Sequence, residues 1–375
     1  MFEYTDFGKI SHERPEVLRE STCAALGQGG ACPPSNGSIT IDKKEEYSHG
    51  LRWKLGINTN PCIQLRKGTR CLFCGFLNYH DPIPPDRVGD AFHRALVTTH
   101  LRDVHRLELY VSGSFFDDEE VSYESRLQIA GLIAQTDIRE VVLETRPEFV
   151  TGENLRPLSR IIDGKRVTIA IGVETMDDSI RSRLLKGFST SELVESIKIV
   201  AASGMNFQAY LLLNPPAIND DERGIEDVLD SSTRLMALAA EMSLPLVLAV
   251  QPFFVARNSL AADLFDSLPV RPPWLYTVAL TLRLLQVLRK RDADRMPQII
   301  LGNEIDNVDT ISVPSNYTRD GHICDCSHET RKLLHETNAS QSRLEENVRR
   351  ILESTCECRD VWEQQIGSSA FRAAP

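Results

Sequence analysis

Residues 52 to 260 alternate between short apolar segments and longer amphipathic ones. The short segments are rich in β-branched and large apolar residues, whereas the longer ones space their apolar residues as helices do. This alternation predicts parallel β/α units. The expected strands are residues 52–58, 106–112, 140–144, 167–173, 207–213 and 246–251, and the expected helices are 84–101, 119–136, 179–185, 191–203 and 221–242.

Six such strands favour a partial (β/α)6 TIM-type barrel over residues 46–260, although a doubly wound sheet fits the same pattern. Residues 1–45 mix glycine, proline and charge, and we expect an N-terminal arm or cap with little regular structure. Residues 261–375 predict a mainly helical C-terminal extension that packs over the barrel mouth. One further strand is predicted within this extension, at residues 298–301.

Polar and small residues follow the ends of these predicted strands. In either fold, ligands bind at the carboxyl ends of the strands, so these residues are candidates for a site. They are Ser112-Gly113-Ser114, Glu144, Arg146, Glu174, Asn214 and Gln251.

The composition is that of an ordinary globular protein. The 375 residues carry 42 Lys and Arg against 53 Asp and Glu, a net charge of -11. This excludes collagen-like and disordered classes and argues against a bulk electrostatic grip on nucleic acid. The first residues lack the pattern of a signal peptide, and no apolar run is long enough for a membrane span. We therefore expect a cytoplasmic protein with no membrane contact.

The nine cysteines fall mainly into two groups. Cys62, Cys71 and Cys74 form a loop after the first strand of the predicted barrel. Cys324, Cys326, Cys356 and Cys358 form two Cys-x-Cys pairs near the C-terminus. In a reducing compartment such groups hold zinc or iron–sulfur clusters. The remaining two, Cys23 and Cys32, are expected to be small buried residues.

The three loop cysteines fit two kinds of metal centre. A zinc knuckle could take His80 as its fourth ligand. A [4Fe–4S] cluster held by three thiolates instead leaves one iron open to a substrate or cofactor. The position of the loop at a strand end, where ligands bind, favours the cluster.

The sequence resembles the radical S-adenosylmethionine (SAM) enzymes, in the subgroup that includes the Elongator catalytic subunit and the archaeosine lyase RaSEA. The first cysteine gap has eight residues where the family commonly has three. The resemblance extends from about residue 52 to 335. It rests on Cys71-Leu-Phe-Cys74-Gly75-Phe76, residues 111–117, Glu144-Thr-Arg146-Pro147-Glu148, Gly172-Val-Glu174-Thr175, Lys186-Gly187-Phe188-Ser189, residues 209–216, Arg271-Pro272-Pro273-Trp274-Leu275 and Cys324-Asp325-Cys326.

This resemblance implies roles for individual residues. The loop cysteines would hold the [4Fe–4S] cluster, and Ser112-Gly113-Ser114 would receive the SAM amino group. Glu174 would bind the ribose hydroxyls, Arg146 would pair with the SAM carboxylate, and Glu144 belongs to the same expected cofactor site. Glu144, Glu148 and Glu174 have a simpler interpretation as capping or salt-bridge residues. The catalytic residues stay unknown, and the candidates for lining the pocket are Tyr210, Asn214, Gln251 and Asn258.

The C-terminal cysteines leave three alternatives open. Their four thiolates could ligate an auxiliary iron–sulfur cluster, a structural zinc ion, or nothing. His322 or His328 could replace one of them as a ligand. An auxiliary cluster could donate sulfur, and the chain would then resemble the sulfur-inserting radical SAM enzyme of albomycin, a thionucleoside antibiotic.

The expected substrate is a small, nucleoside-derived molecule of bacterial specialised metabolism, because no RNA-binding module is evident and acidic residues are in excess. The expected electron donor is a reductant such as flavodoxin or ferredoxin, and nucleic acid is not an expected partner. One alternative is RaSEA-like lyase chemistry on tRNA. Another is a zinc-stabilised binding protein without catalytic activity.

Overall fold

The computed structural model describes residues 39–47, 50–75, 81–99, 101–218, 220–265, 270–290, 297–302 and 309–366. The expectations for Cys23, Cys32 and His80 lie outside these residues. The described strands are β1 (Ile39–Tyr47), β2 (Gly50–Ile57), β3 (Val104–Tyr110), β4 (Glu140–Thr145), β5 (Arg166–Glu174), β6 (Asn206–Leu213), β7 (Leu246–Pro252), β8 (Val255–Ala256), β9 (Gln298–Leu301) and β10 (Thr310–Ser312).

Helices connect most of these strands. Short 3₁₀ turns at Pro85–Arg87, Pro147–Phe149 and Glu336–Ala339 accompany them. The α-helices are α1 (Ile63–Arg66), α2 (Val88–Thr98), α3 (Tyr123–Ala134), α4 (Gly152–Ile161), α5 (Asp178–Arg183), α6 (Thr190–Ala202), α7 (Asp221–Met242), α8 (Leu260–Asp263), α9 (Leu275–Lys290), α10 (Cys326–His335), α11 (Gln341–Leu352) and α12 (Glu357–Ile366).

Eight strands form one curled sheet in the order β1-β2-β3-β4-β5-β6-β7-β9. Seven of these strands are parallel, namely β2, β3, β4, β5, β6, β7 and β9. Strand β1 pairs antiparallel with β2. Each parallel strand lies beside the next parallel strand along the chain, so right-handed crossovers place the helices that connect these strands on one face. A doubly wound sheet needs a reversal of strand order, which is absent among the described strands. The expected partial barrel is confirmed.

The main core lies between the outer face of the sheet and the helices. Alternate residues of each strand point outward, and on β2 these are Trp53, Leu55 and Ile57, all nearly fully buried. Burying one such side chain stabilises the fold by about 1.5–3 kcal/mol. No helix within the described residues is both long and apolar enough to cross a bilayer.

The inner face of the sheet carries charged side chains. Arg106 on β3 donates from Nε to Glu108 (2.7 Å) and from Nη2 to Gln208 on β6 (3.0 Å). Burial raises the pKa of Glu108, but Arg52 and Arg106 outweigh it and hold that pKa at about 2. The interior of the barrel is thus fixed by an ion-pair network.

The two edge strands of the sheet meet through side chains. Gln298 Nε2 on β9 donates to the Tyr47 hydroxyl on β1 (2.5 Å). The Tyr47 ring also lies under the guanidinium groups of Arg52 and Arg106, at 5.2 and 4.9 Å from its centroid. This contact draws the open sheet together at β1 and β9.

The structure corrects the expectation for the N-terminal arm. Ile39–Tyr47 is a regular strand, although little regular structure was expected before residue 46. Its residues alternate between half-buried and exposed, but the half-buried Lys43 and Glu45 are charged like their exposed neighbours, so the apolar–polar alternation of a strand is lost there. Helix α4 was also missed, because Pro157 lies inside it. The division into domains stays a prediction.

Only part of the C-terminal extension lies at the barrel mouth, where it was expected. Ala261 of α8 and Val270 pack with Phe73 there, and β10 pairs antiparallel with β8. The later helices lie elsewhere: Leu344, Val348 and Ile351 of α11 form one apolar stripe that packs into the main core with α9, in the outer helical layer. β9 is the additional strand that the sequence indicated.

Candidate functional site at the carboxyl end of the barrel

The three-cysteine loop follows β2, the first parallel strand. Cys62 precedes α1, and its carbonyl accepts the Arg66 N–H (3.1 Å), while the Cys74 N–H donates to the Cys71 carbonyl (3.2 Å). All three cysteines are half-buried and stand outside any disulfide. Burial raises the pKa of the Cys62 thiol, although backbone N–H groups of α1 partly oppose this.

Neighbouring elements hold the loop in place. The Leu72 N–H donates to the Leu184 carbonyl (3.0 Å), and the Leu72 carbonyl accepts the Ala261 N–H (2.8 Å). Arg66 of α1 forms an ion pair with the buried Asp117. The cysteines are therefore presented on a fixed backbone.

Ser112, Gly113 and Ser114 lie against this loop. The Ser112 hydroxyl donates to the Thr59 carbonyl (2.9 Å), and the Ser114 hydroxyl lies 2.6 Å from that of Thr145. A Cβ on Gly113 would stand 2.2 Å from Cys62 Cβ, so only glycine fits there. Both serine hydroxyls bond within the protein.

Glu120 supports this segment and was missed by the sequence analysis. It is fully buried, and its carboxylate accepts the Ser114 N–H (3.1 Å) and the Thr59 hydroxyl (3.3 Å). Burial raises its pKa to about 8. Glu120 stands in the acidic run of residues 117–120, which is more typical of an exposed loop, so its burial had no sequence signal.

Glu174 at the end of β5 is paired with Lys186. Lys186 Nζ donates to Glu174 Oε1 (2.6 Å), and the two side chains are 13% and 6% exposed. Lys186 Nζ also lies 5.5 Å from the centroid of the Phe73 ring, in the cysteine loop. Burial lowers the pKa of Lys186, but Glu174 and Cys71 outweigh it, and the pKa is raised. Lys186 had a motif but no role in the sequence analysis.

Arg146 lies beside the same lysine. Its Nε donates to Glu148 (2.8 Å) and its Nη2 to the Lys186 carbonyl (2.8 Å), and its guanidinium stacks over the Phe188 ring at 5.5 Å. The Glu144 carbonyl accepts the Phe115 N–H (2.9 Å), which joins the ends of β4 and β3. The expected cofactor residues from three strands thus share one edge of the sheet with the cysteine loop.

The four pocket candidates are placed differently. Tyr210 is buried inside the barrel, and Gln251 lies at the end of β7 beside Gly302. The Asn214 amide is fully buried, and it caps α7 by donating to Asp221 and accepting the Asp220 N–H (both 2.8 Å). Asn258 is exposed, and its carbonyl accepts a hydrogen bond from Arg70 (3.3 Å). Only Tyr210 and Gln251 face the barrel interior.

An apolar wall stands beside the cysteine loop. Phe73 packs with Leu212 of β6, Phe253 between β7 and β8, Val255 of β8, and Val270 before α9. These side chains enclose one side of the strand ends. An enclosed, partly apolar site of this kind restricts the access of water.

The C-terminal cysteines form a separate group. Cys324, Cys326, Cys356 and Cys358 place their sulfur atoms within 4.8 Å of one another. Among the residues that the structure describes, the loop thiols do not gather as closely.

The chain is similar to curated proteins over most of its length, while no family model matches it. It is 26% identical over 313 residues to the archaeosine synthase subunit beta of Methanosarcina acetivorans, covering 81% of this chain and 82% of that protein. An uncharacterised protein of Methanocaldococcus jannaschii, MJ0550, is 25% identical over 336 residues, covering 87% and 84%. The first of these relatives supports the resemblance to archaeosine synthase subunits beta over most of the chain.

Solved structures give weaker likenesses. Methylornithine synthase (PylB) matches with a TM-score of 0.45 and 15% identity, covering 82% of this chain and 84% of that one. Elp3 of Methanocaldococcus infernus matches with a TM-score of 0.44 and 11% identity, covering 77% and 64%. None of these comparisons concerns the thionucleoside antibiotic.

Proposed function

We propose that this chain is a radical SAM enzyme. Cys62, Cys71 and Cys74 would hold a [4Fe–4S] cluster, and SAM would bind beside it. The observation that carries the proposal is the loop itself, which presents three cysteines outside any disulfide at the carboxyl edge of a parallel partial barrel. The curated relatives support the same conclusion.

The residues fit this pair of cofactors. Three thiols leave one coordination position of a cluster open for SAM. When bound and reduced, the cluster supplies one electron that splits SAM into methionine and a 5′-deoxyadenosyl radical, which takes a hydrogen atom from the substrate. The electron would come from a reductant such as flavodoxin or ferredoxin.

The chain's own groups would orient SAM. Backbone oxygens of the Ser112–Ser114 segment would receive the SAM amino group, while the bonds of the two serine hydroxyls to Thr59 and Thr145 would hold the segment in place. Glu174, oriented by Lys186, would accept hydrogen bonds from the ribose hydroxyls. Arg146 would keep its bond to the Lys186 carbonyl and exchange Glu148, which is partly exposed, for the SAM carboxylate. The wall around Phe73 would exclude water from the reacting atoms.

The substrate we favour is a small nucleoside-derived molecule. The net charge of -11 opposes a large nucleic-acid interface. The second candidate is a modified base in tRNA, because two of the curated relatives are archaeosine synthase subunits beta. Co-purifying tRNA and a steep loss of binding with salt would favour tRNA, whereas turnover of a free nucleoside would favour the small molecule.

The test is formation of 5′-deoxyadenosine from SAM by anaerobically reconstituted protein with dithionite. The protein should bind about four irons and four sulfides at the loop, and Cys71→Ala should abolish both the cluster and the product. Cys23→Ala changes a cysteine outside both groups and serves as the matched control. Wild-type protein that binds no iron and leaves SAM intact would refute the proposal and favour a binding protein.

Sulfur insertion, as in albomycin formation, stays a prediction. It requires a sulfide-containing auxiliary cluster, and the C-terminal cysteines are its expected ligands. The distances between their sulfur atoms distinguish a cluster from a single metal ion, and they are given in the next subsection.

A further inference from the structure

The four C-terminal cysteines are gathered tightly. Sγ–Sγ distances are 3.4 Å for Cys324 and Cys356, 3.3 Å for Cys326 and Cys358, and 3.2 Å for Cys356 and Cys358. Cys358 is almost fully buried, and the other three are half-buried. His322 and His328 are exposed and stand outside this group.

These separations are close to those of ligands that share one metal ion. A zinc ion binds thiolates at about 2.3 Å, so the edges of its sulfur tetrahedron are about 3.8 Å long. A disulfide requires about 2.05 Å. A [4Fe–4S] cluster places each cysteine on a different iron, which holds the sulfurs farther apart than ligands of a single ion.

Both Cys-x-Cys segments have the same local structure. α10 begins at Cys326 and α12 at Glu357, so each pair stands at the N-terminus of a ten-residue helix. Helix N-termini favour negative charge, so both positions suit ligands that bind a metal ion as thiolates.

Two side chains complete the surroundings of the sulfurs. Asn316 Nδ2 donates to the Cys326 sulfur (3.4 Å), and the Tyr276 hydroxyl lies 3.5 Å from the Cys358 sulfur. Polar groups around metal ligands orient them and tune their affinity. The two contacts come from different parts of the chain, and each orients one sulfur: Asn316 that of Cys326 and Tyr276 that of Cys358.

We infer that Cys324, Cys326, Cys356 and Cys358 bind a single tetrahedral zinc ion. Four protein ligands close the coordination shell, so the ion is structural and leaves no position for a substrate. It joins two segments that are 32 residues apart in the chain and ties α10 to α12. This inference does not depend on the proposed function of the loop cysteines.

The zinc site is connected to the barrel through α9. Tyr276 of α9 packs on Trp362 of α12 with ring centroids 5.3 Å apart, and Trp362 donates to the Thr277 hydroxyl (2.9 Å). Thr277 donates to Asp221, which accepts a hydrogen bond from Asn214 at the end of β6 (2.8 Å). The ion would therefore hold the C-terminal helices against the helical layer that supports the strand ends.

The test is metal and acid-labile sulfide analysis of the full-length Cys62/Cys71/Cys74→Ala variant, which removes the loop thiols. We expect one zinc per chain and no sulfide. Cys324→Ser/Cys358→Ser added to this variant should lose the zinc, whereas Cys23→Ser/Cys32→Ser should retain it. Iron with sulfide in the triple variant would overturn the inference, one iron without sulfide would overturn the assignment to zinc, and chain that takes up no metal would refute the site.

A second measurement uses the intact protein, in case the triple variant does not fold. X-ray absorption at the zinc edge should show four sulfur neighbours at about 2.3 Å. Cobalt(II) in place of zinc should give the visible bands of a tetrahedral thiolate site, and these should vanish in Cys326→Ser. A zinc edge with fewer than four sulfurs would contradict the closed site. Wild-type protein that holds this zinc but does not cleave SAM would count against the loop proposal alone.

Discussion

The loop cysteines and the C-terminal cysteines belong to different layers of the molecule. The loop stands at the carboxyl edge of the sheet, close to Gly113 and to the ion pair of Glu174 with Lys186. The C-terminal group stands in the helical layer, where Asn316 and Tyr276 contact its sulfurs. The loop offers three cysteines that do not gather closely, whereas the C-terminal group offers four sulfurs within 4.8 Å of one another.

This difference shows that cysteine count and spacing in the sequence do not identify a metal centre. Both groups suit either zinc or an iron–sulfur cluster when only their sequence is known. The placement of the backbone decides between these possibilities. Strand ends leave space for a cofactor, whereas two helix N-termini bring four sulfurs to a single ion.

The largest expected effect separates the two groups by activity. Cys71→Ser should lower 5′-deoxyadenosine formation more than about 100-fold. The loss should be this large because Cys71 is an expected cluster ligand, and removing a ligand costs more activity than removing a residue that only hydrogen-bonds to a ligand. The same variant should keep its zinc. Product analysis and zinc analysis on one sample measure both, and loss of zinc in Cys71→Ser would mean that the groups are not independent.

The next effect separates them by stability. Cys326→Ser should lose zinc and unfold at a temperature lower by several degrees, because a structural metal contributes its binding energy to folding. Cys32→Ser is the matched control and should keep both zinc and melting temperature. The prediction fails if Cys326→Ser melts like the wild type while the zinc is absent.

A third effect concerns the barrel beneath the loop. Glu108→Gln should cost about 3–5 kcal/mol, because it leaves Arg52 and Arg106 buried with one carboxylate fewer. Denaturant unfolding measures this. Glu195→Gln removes a carboxylate from the exposed pair with Lys198 and should change stability by less than about 1 kcal/mol.

Acid should reveal the same carboxylate. The folded pKa of Glu108 is about 2, below its ordinary value of 4.5, so its contribution is complete above pH 4.5 and is lost as the pH falls towards 2. The wild type should therefore lose more stability over this interval than Glu108→Gln. Equal slopes of unfolding free energy against pH would contradict the ion-pair account.

The smallest expected effect probes the connection between the regions. Trp362→Phe removes the hydrogen bond to Thr277 and should cost about 1 kcal/mol. Zinc content and SAM cleavage should stay unchanged. Thermal unfolding measures the cost, and a loss of zinc would show that Trp362 acts on the metal site itself.

The sequence predicts the barrel well because its strands carry a strong periodic signal. Residues 221–242 were expected as a helix and form α7 with those bounds, since Asp220 caps its start. Strand β1 was missed because its half-buried positions include the charged residues Lys43 and Glu45, which remove the apolar–polar alternation. The ion-pair network inside the barrel was missed for a similar reason. Arg52 and Lys54 of β2 are buried, but in the sequence they look like ordinary surface charges.

The site was predictable only in part. The motifs located Glu174 and Arg146 at strand ends. The sequence contained no sign that the Lys186 ammonium pairs with Glu174 or that the Lys186 carbonyl accepts a hydrogen bond from Arg146. Asn214 also follows a strand, yet its amide turns to cap α7. Both outcomes depend on side-chain direction, which strand periodicity does not determine beyond the ends of a strand.

The bond between Tyr47 and Gln298 has a consequence for how the protein folds. These residues are 251 positions apart, so they can meet only after the intervening strands have assembled. Joining ends so distant along the chain costs loop-closure entropy and slows assembly. Tyr47→Phe should therefore speed unfolding while leaving the folding rate almost unchanged, as expected for a contact formed after the transition state.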